Sequence, residues 1–177
     1  MLRSLFLIVM TSLIVGTGYL LFRNGVFLPV AFSVKNDGPL ILLGTAHVGA
    51  YHTVLPSLQK VEAFAKENKL PCSTTFGEYL DDPNVVETAR LKSFVGCVLT
   101  EKPSIPLPED FRLSERPSRR YLVGTFQGSP ALGPYKAYGK AQELMARQNL
   151  TADGSVIELY RMEKDGDMTT LYYFPVK

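Results

Sequence analysis

The chain has 177 residues, 46% of them hydrophobic, and a formal net charge of +2. That length builds one ordinary core rather than two full domains. Lys and Arg are spread along it with no basic block, zinc-type spacing or recognition-helix signature, which argues against nucleic acid as a partner.

The first element is the most distinct. From Ser4 through Phe22 the chain carries no charge, with Arg3 and Arg23 on either side. A helix of nineteen such residues nearly crosses a bilayer core of about 30 Å, at about 1.5 Å per residue. A cleaved signal peptide is the rival reading. Gly16-Thr17-Gly18 is a poor cleavage site because Tyr19, Leu20, Leu21 and Phe22 continue the apolar run. The favoured reading is an anchor over residues 1–26, with its short amino-terminal tail inside and the following domain, 27–177, outside. The cysteines, Cys72 and Cys97, form no Cys-x-x-Cys pair, so no metal or redox site is indicated. Two buried free thiols are favoured over a disulfide, which an oxidising compartment would permit.

After the anchor, residues 27–35 read as a strand, "NDG" at 36–38 as a hairpin turn, and 39–46 as the returning strand. Residues 52–68 form a helix with Leu55, Leu58, Val61 and Phe64 on one stripe, and Pro56 in its first turn. Strands follow at 73–80 and 93–100, separated by a polar connection. Three prolines within residues 101–110 divide the chain like a linker. The same order then returns. "FRLSE" and "RRYLVGTF" form a second hairpin, a helix spans about 136–148 with Tyr138, Ala141, Leu144 and Met145 on one face, and strands occupy 155–162 and 168–176 around a turn at 163–167.

The repetition has an interval. Gly44-Thr45 and Gly124-Thr125, Leu70 and Leu150, and Glu78 and Glu158 are each eighty residues apart. The Gly-x-Tyr triplets at Gly49 and Gly133 differ by eighty-four, which a four-residue insertion and a shorter second helix explain. The predicted fold is α+β. Duplicated β-β-α-β-β halves, about 27–104 and 105–177, form a pseudo-twofold antiparallel sheet with helices on one face, preceded by one transmembrane helix.

The ordered set "HVGAY", "FAKENKLP", "FGEYLDDPNVV" and "FVGCVL", with "LGPYKAYGKAQEL", "VIELY" and "YYFPVK" in the second half, resembles the GyrI-like small-molecule-binding domain, also called the bacterial transcription activator, effector-binding domain. The resemblance covers about residues 27–177. It implies a cleft between the halves that takes a small molecule, cationic and aromatic in the effector-binding members. It also implies that Glu158 is the pocket carboxylate, with Glu78 its repeat mate. From pattern alone, Glu158 shares a strand face with Val156 and Tyr160, and that face is either solvent or pocket. Tyr160, Tyr172 and Tyr173 are candidate ring walls, while Tyr51 and Tyr135 fix the starts of their helices, with a ligand-binding role for Tyr135 as its second reading. His47 and His52 have no third metal ligand of matching spacing, and no nucleophile motif or phosphate-cradling loop occurs. The reading is therefore a membrane-anchored domain that binds a small molecule, needs no cofactor and performs no chemistry, in a bacterial inner membrane or an ER membrane. An anchored domain with "LDDPNVV" and "VGCVLTE" is also similar to animal ER-phagy receptors, which implies a protein-interaction adaptor as the alternative. A hydrolase using Glu158 as general base is the third reading.

Overall fold

In the computed structural model, which describes residues 2–163 and 166–177, the chain begins with helix α1 (Leu2–Arg23). Its stretch Arg3–Arg23 is long and apolar enough to cross a membrane, and none of its most apolar window is buried against the rest of the protein. Strands β1 (Ala31–Asp37) and β2 (Leu40–Val48), helix α2 (Leu55–Glu67) and strands β3 (Thr74–Tyr79) and β4 (Lys92–Leu99) follow. Then come β5 (Phe111–Arg116), β6 (Arg119–Gln127), helix α3 (Gly133–Arg147), β7 (Val156–Met162) and β8 (Met168–Pro175). The predicted turn at 163–167 falls partly on residues 164 and 165, outside the described residues; beside them, the Gly166 amide donates to the Glu163 carbonyl.

All eight strands join one antiparallel sheet, in the order β1-β6-β8-β7-β3-β4-β2-β5. The order is unchanged when read backwards with β1–β4 exchanged for β5–β8, so the sheet has a twofold topology centred on β7 and β3. The two predicted hairpins do not form. β1 pairs with β6, and β2 pairs with β4 and β5, so each half gives its first strand to the other half. Alternation fixes which face of a strand is buried but carries no information on which strand lies beside it.

This exchange curls the sheet. Gly38-Pro39 joins the first strand in the order to the seventh, and Pro117-Ser118 joins the eighth to the second. The two connections touch: a side chain at Gly38 would stand 3.1 Å from Ser118 Cα. The ends of the sheet therefore meet, and the rolled sheet encloses its own inner face. Leu42, Phe76, Phe94, Tyr121, Ile157 and Tyr173 pack there with no helix above them. Both helices cover the outer face. α3 lies on Leu122, Phe126, Tyr172 and Phe174 through Ala137 and Ala141, and α2 lies on Leu43, Cys97 and Leu99 through Val61 and Ala65.

Cys72 and Cys97 form a disulfide, against the free-thiol expectation. Cys72 leads into β3, and Cys97 of β4 lies opposite Thr75, so the Cα atoms stand 5.3 Å apart, within bridging range. The helices end alike. Lys69 and Asn149 take positive φ, and the amides of Leu70 and Leu150 donate to the carbonyls of Ala65 and Met145. The interval of eighty thus holds through the helix ends.

Candidate functional site

Across the centre of the sheet the interval of eighty fails. Glu158 on β7 lies opposite Gly77 on β3, while Glu78 lies opposite Ile157. Opposed residues share a face and neighbours along a strand do not, so Glu78 and Glu158 point to opposite sides of the sheet. They are not structural mates, because only an odd interval maps one half's outer face onto the other's.

Glu78 faces the rolled interior. Arg116, reaching in from the edge strand β5, donates from Nε at 3.0 Å and from Nη2 at 2.5 Å, and Ser155 Oγ donates at 2.7 Å. Its charge is fully engaged.

Glu158 is different. It points outward beneath α3, yet only 3% of it is exposed, so the solvent-facing alternative falls. Tyr138 Oη of α3 donates to Oε1 at 2.8 Å, and Tyr160 Oη donates to Oε2 at 2.9 Å. Tyr79 Oη stands 2.9 Å from Tyr160 Oη. A phenol has one proton, and Tyr160 uses its own in the hydrogen bond to the carboxylate, so Tyr79 donates to Tyr160. Gly77 makes this possible: a side chain there would come within 2.9 Å of the Tyr79 hydroxyl. Beyond Tyr79, the Tyr51 ring lies 4.7 Å away, and Tyr51 Oη donates to the Asp81 carbonyl at 2.7 Å, fixing the approach to α2.

No cation is paired with Glu158 among the described residues. Burial raises its carboxyl to about 7, and the two phenol hydrogen bonds offset only part of that. Burial also holds the phenols of Tyr79, Tyr138, Tyr160 and Tyr172 above their ordinary range, so all four stay protonated.

The Tyr138 ring closes the site from above, edge-on to Tyr172 at 6.2 Å and to Phe174 at 5.3 Å. Tyr172 lies beside Glu158 on β8, and its hydroxyl occupies the space a side chain at Gly133 would need, 1.8 Å from that position. The hydroxyls of Tyr172 and Thr170 are buried near one another and make no well-formed hydrogen bond among the described residues. Sequence reasoning placed Tyr160 and Tyr172 here with Glu158, and the structure brings these three together. It does not bring Tyr135, which is 89% exposed at the start of α3, or Tyr173, whose hydroxyl donates to Asp37 on the inner face. Tyr79 and Tyr138 were missed. The available signal was a tyrosine on the apolar stripe of a helix, whose hydroxyl must find a partner when buried.

The site is thus a buried carboxylate with an unmatched charge, inside a ring of phenols. Several solved structures share the architecture. The C-terminal domain of EcmrR aligns with a TM-score of 0.66 at 14% identity, covering 84% of this chain and 98% of that domain. EcmrR in a DNA complex aligns at the same score and identity, covering 95% of this chain, which spans 65% of the EcmrR chain. SAV2435 bound to tetraphenylphosphonium aligns at 0.57 and 12% identity, covering 83% and 94%. These likenesses show the fold alone. A search of curated proteins returns no match. The sequence itself matches the GyrI-like small molecule binding domain over residues 31–177, the whole rolled sheet with both its helices, and the chain belongs to that family.

Proposed function

We propose that the chain is a membrane-anchored, non-enzymatic domain that binds a lipophilic aromatic cation at Glu158, with residues 1–26 as the anchor and 27–177 as the binding domain. The observation that carries this is the buried carboxylate without a cation partner. A ligand cation offsets a charge that the protein otherwise bears at a cost, and the rings of Tyr138, Tyr160 and Tyr172 supply π faces. To reach Glu158, the ligand displaces the Tyr138 hydroxyl, and its positive charge stands in for the lost hydrogen bond. SAV2435, which shares the fold, holds an aromatic phosphonium cation. The twofold strand order and the matching helix ends support the internal duplication. The disulfide supports the domain facing the oxidising side of the membrane.

The test is a titration of the full chain in detergent micelles with tetraphenylphosphonium and with neutral triphenylphosphine oxide. At about 4 Å and an effective dielectric of about 20, the attraction to the carboxylate is about 4 kcal/mol gross, and desolvation removes much of it. Glu158→Gln is expected to weaken the cation by about ten- to thirty-fold, or about 1 to 2 kcal/mol, and to leave the neutral compound unchanged. Wild-type affinity for the cation falls as pH drops below about 7. An affinity for the cation that ignores both the substitution and the pH sinks the proposal. One observation favours a protein-interaction adaptor as the second reading: the site is closed, with Tyr138 seated on Glu158. That reading gains if no aromatic cation in a broad panel binds.

A further inference from the structure

The segment between α1 and β1 is not a slack tether. Ser129 donates its amide to the Asn24 carbonyl at 3.1 Å. Lys136, in the first turn of α3, donates to the carbonyls of Gly25 at 3.3 Å, Val26 at 2.5 Å and Leu28 at 2.6 Å. Arg23, the last residue of α1, pairs with Asp167 beside β8 at 2.5 Å. Gly25 is pressed so closely on β6 that a side chain there would stand 2.8 Å from the Gln127 carbonyl oxygen. The end of α1 is thus fastened at once to the start of α3, the end of β6 and the β7–β8 turn.

Around that junction stand large apolar side chains that are partly or largely exposed. Phe22 is 71% exposed, Phe27 70%, Leu28 40% and Tyr135 89%. Aromatic side chains at the mouth of a spanning helix match the headgroup layer, where a ring is half buried and a hydroxyl stays wet. A domain held this tightly cannot stand off from the bilayer, because no free chain separates it from the last residue of α1.

We propose that the junction surface of Phe22, Phe27, Leu28 and Tyr135 lies in the lipid headgroup layer, so that the start of α3, the helix that closes the Glu158 site, rests on the membrane. The proposal depends on α1 spanning the bilayer, and the test separates the two. The chain has no tryptophan, so each introduced tryptophan reports alone. The full chain is reconstituted in phosphatidylcholine vesicles with and without brominated acyl chains, as Phe22→Trp, Phe27→Trp, Tyr135→Trp or Val85→Trp. Val85 is 81% exposed and follows the far end of β3, about 17 Å along the strand from the β7–β8 turn. Emission from Phe27→Trp and Tyr135→Trp is expected to be blue-shifted and to be quenched like that of Phe22→Trp, while Val85→Trp stays red and unquenched. If Phe22→Trp is quenched and Tyr135→Trp behaves like Val85→Trp, the anchor stands and the proposal falls. If Tyr135→Trp is blue-shifted yet unquenched, protein covers the patch and the proposal falls as well. If the chain does not float with the vesicles, the anchor and the proposal fall together.

Discussion

A glutamate that is more basic when folded than when unfolded destabilises the fold as it ionises. Glu158 titrates near 7 in the native protein against an ordinary 4.5. Between those values the unfolded chain binds fewer protons than the folded one, so stability falls as pH rises through that window and is level above it. Glu158→Gln removes the slope. The variant is expected to melt higher than wild type at pH 8, by up to about 3 kcal/mol, and to match it near pH 4. Thermal unfolding of the full chain in micelles at the two pH values checks this; a variant less stable at pH 8 would show that the carboxylate supports the fold. Glu158 was legible in the sequence as an acid inside an apolar strand, but its environment was not. The strand pattern names the residues that share its face, and only the register shows that Gly77 opposes it and leaves room for the Tyr79 ring. Glu78 read as its equal because the same letter recurred at a fixed interval. One residue of slip between helix and strand sends it to the inner face, where Arg116 neutralises it.

At the scale of elements, α3 seats on β8 through the smallest contact available. Gly133 is buried against the Tyr172 hydroxyl with no space for a methyl group. Gly133→Ala is expected to cost about 1 to 3 kcal/mol by overpacking. Tyr172→Phe alone should be close to neutral, because it removes a buried hydroxyl that makes no well-formed hydrogen bond among the described residues. It should also relieve much of the Gly133→Ala penalty in the double variant. Urea unfolding of the four proteins measures the coupling, and strictly additive effects would show that the clash is not what fixes the helix. The helices and strands were readable one at a time, since each has a period of its own. α2 starts at Leu55 rather than 52, after a single 3-10 turn, and α3 starts at Gly133, three residues earlier than periodicity suggests. In both helices proline stands at the start, where its missing amide is not needed.

For the molecule as a whole, the exchange of first strands makes the halves interdependent. Residues 27–104 contain β1 without β6, β2 without β5 and β3 without β7, which leaves β1 with no ladder and β2 and β3 with one each. That fragment is expected to show no cooperative thermal transition, whereas residues 27–177 should unfold in one step; circular dichroism on both decides. A cooperative first half would refute the interdependence. The sequence carried the class and the number of elements, but not the exchange. The "NDG" turn is real, yet its two strands leave it in different directions to meet partners far along the chain.

The same exchange sets a clock on the ribosome. β1 is the first strand made, and its partners lie 82 to 94 residues later, from Arg119 opposite Asp37 to Thr125 opposite Ala31. At about 5–20 residues per second, β1 waits roughly 4 to 19 s after its own synthesis with no strand beside it. A strand left unpaired for seconds invites neighbouring nascent chains to pair with it. Its composition answers that exposure. Ser33, Lys35, Asn36 and Asp37 interrupt the apolar positions, and the Lys and Asp become ion-paired in the finished protein. The strand that must wait longest thus carries polar and charged side chains at four of its seven positions.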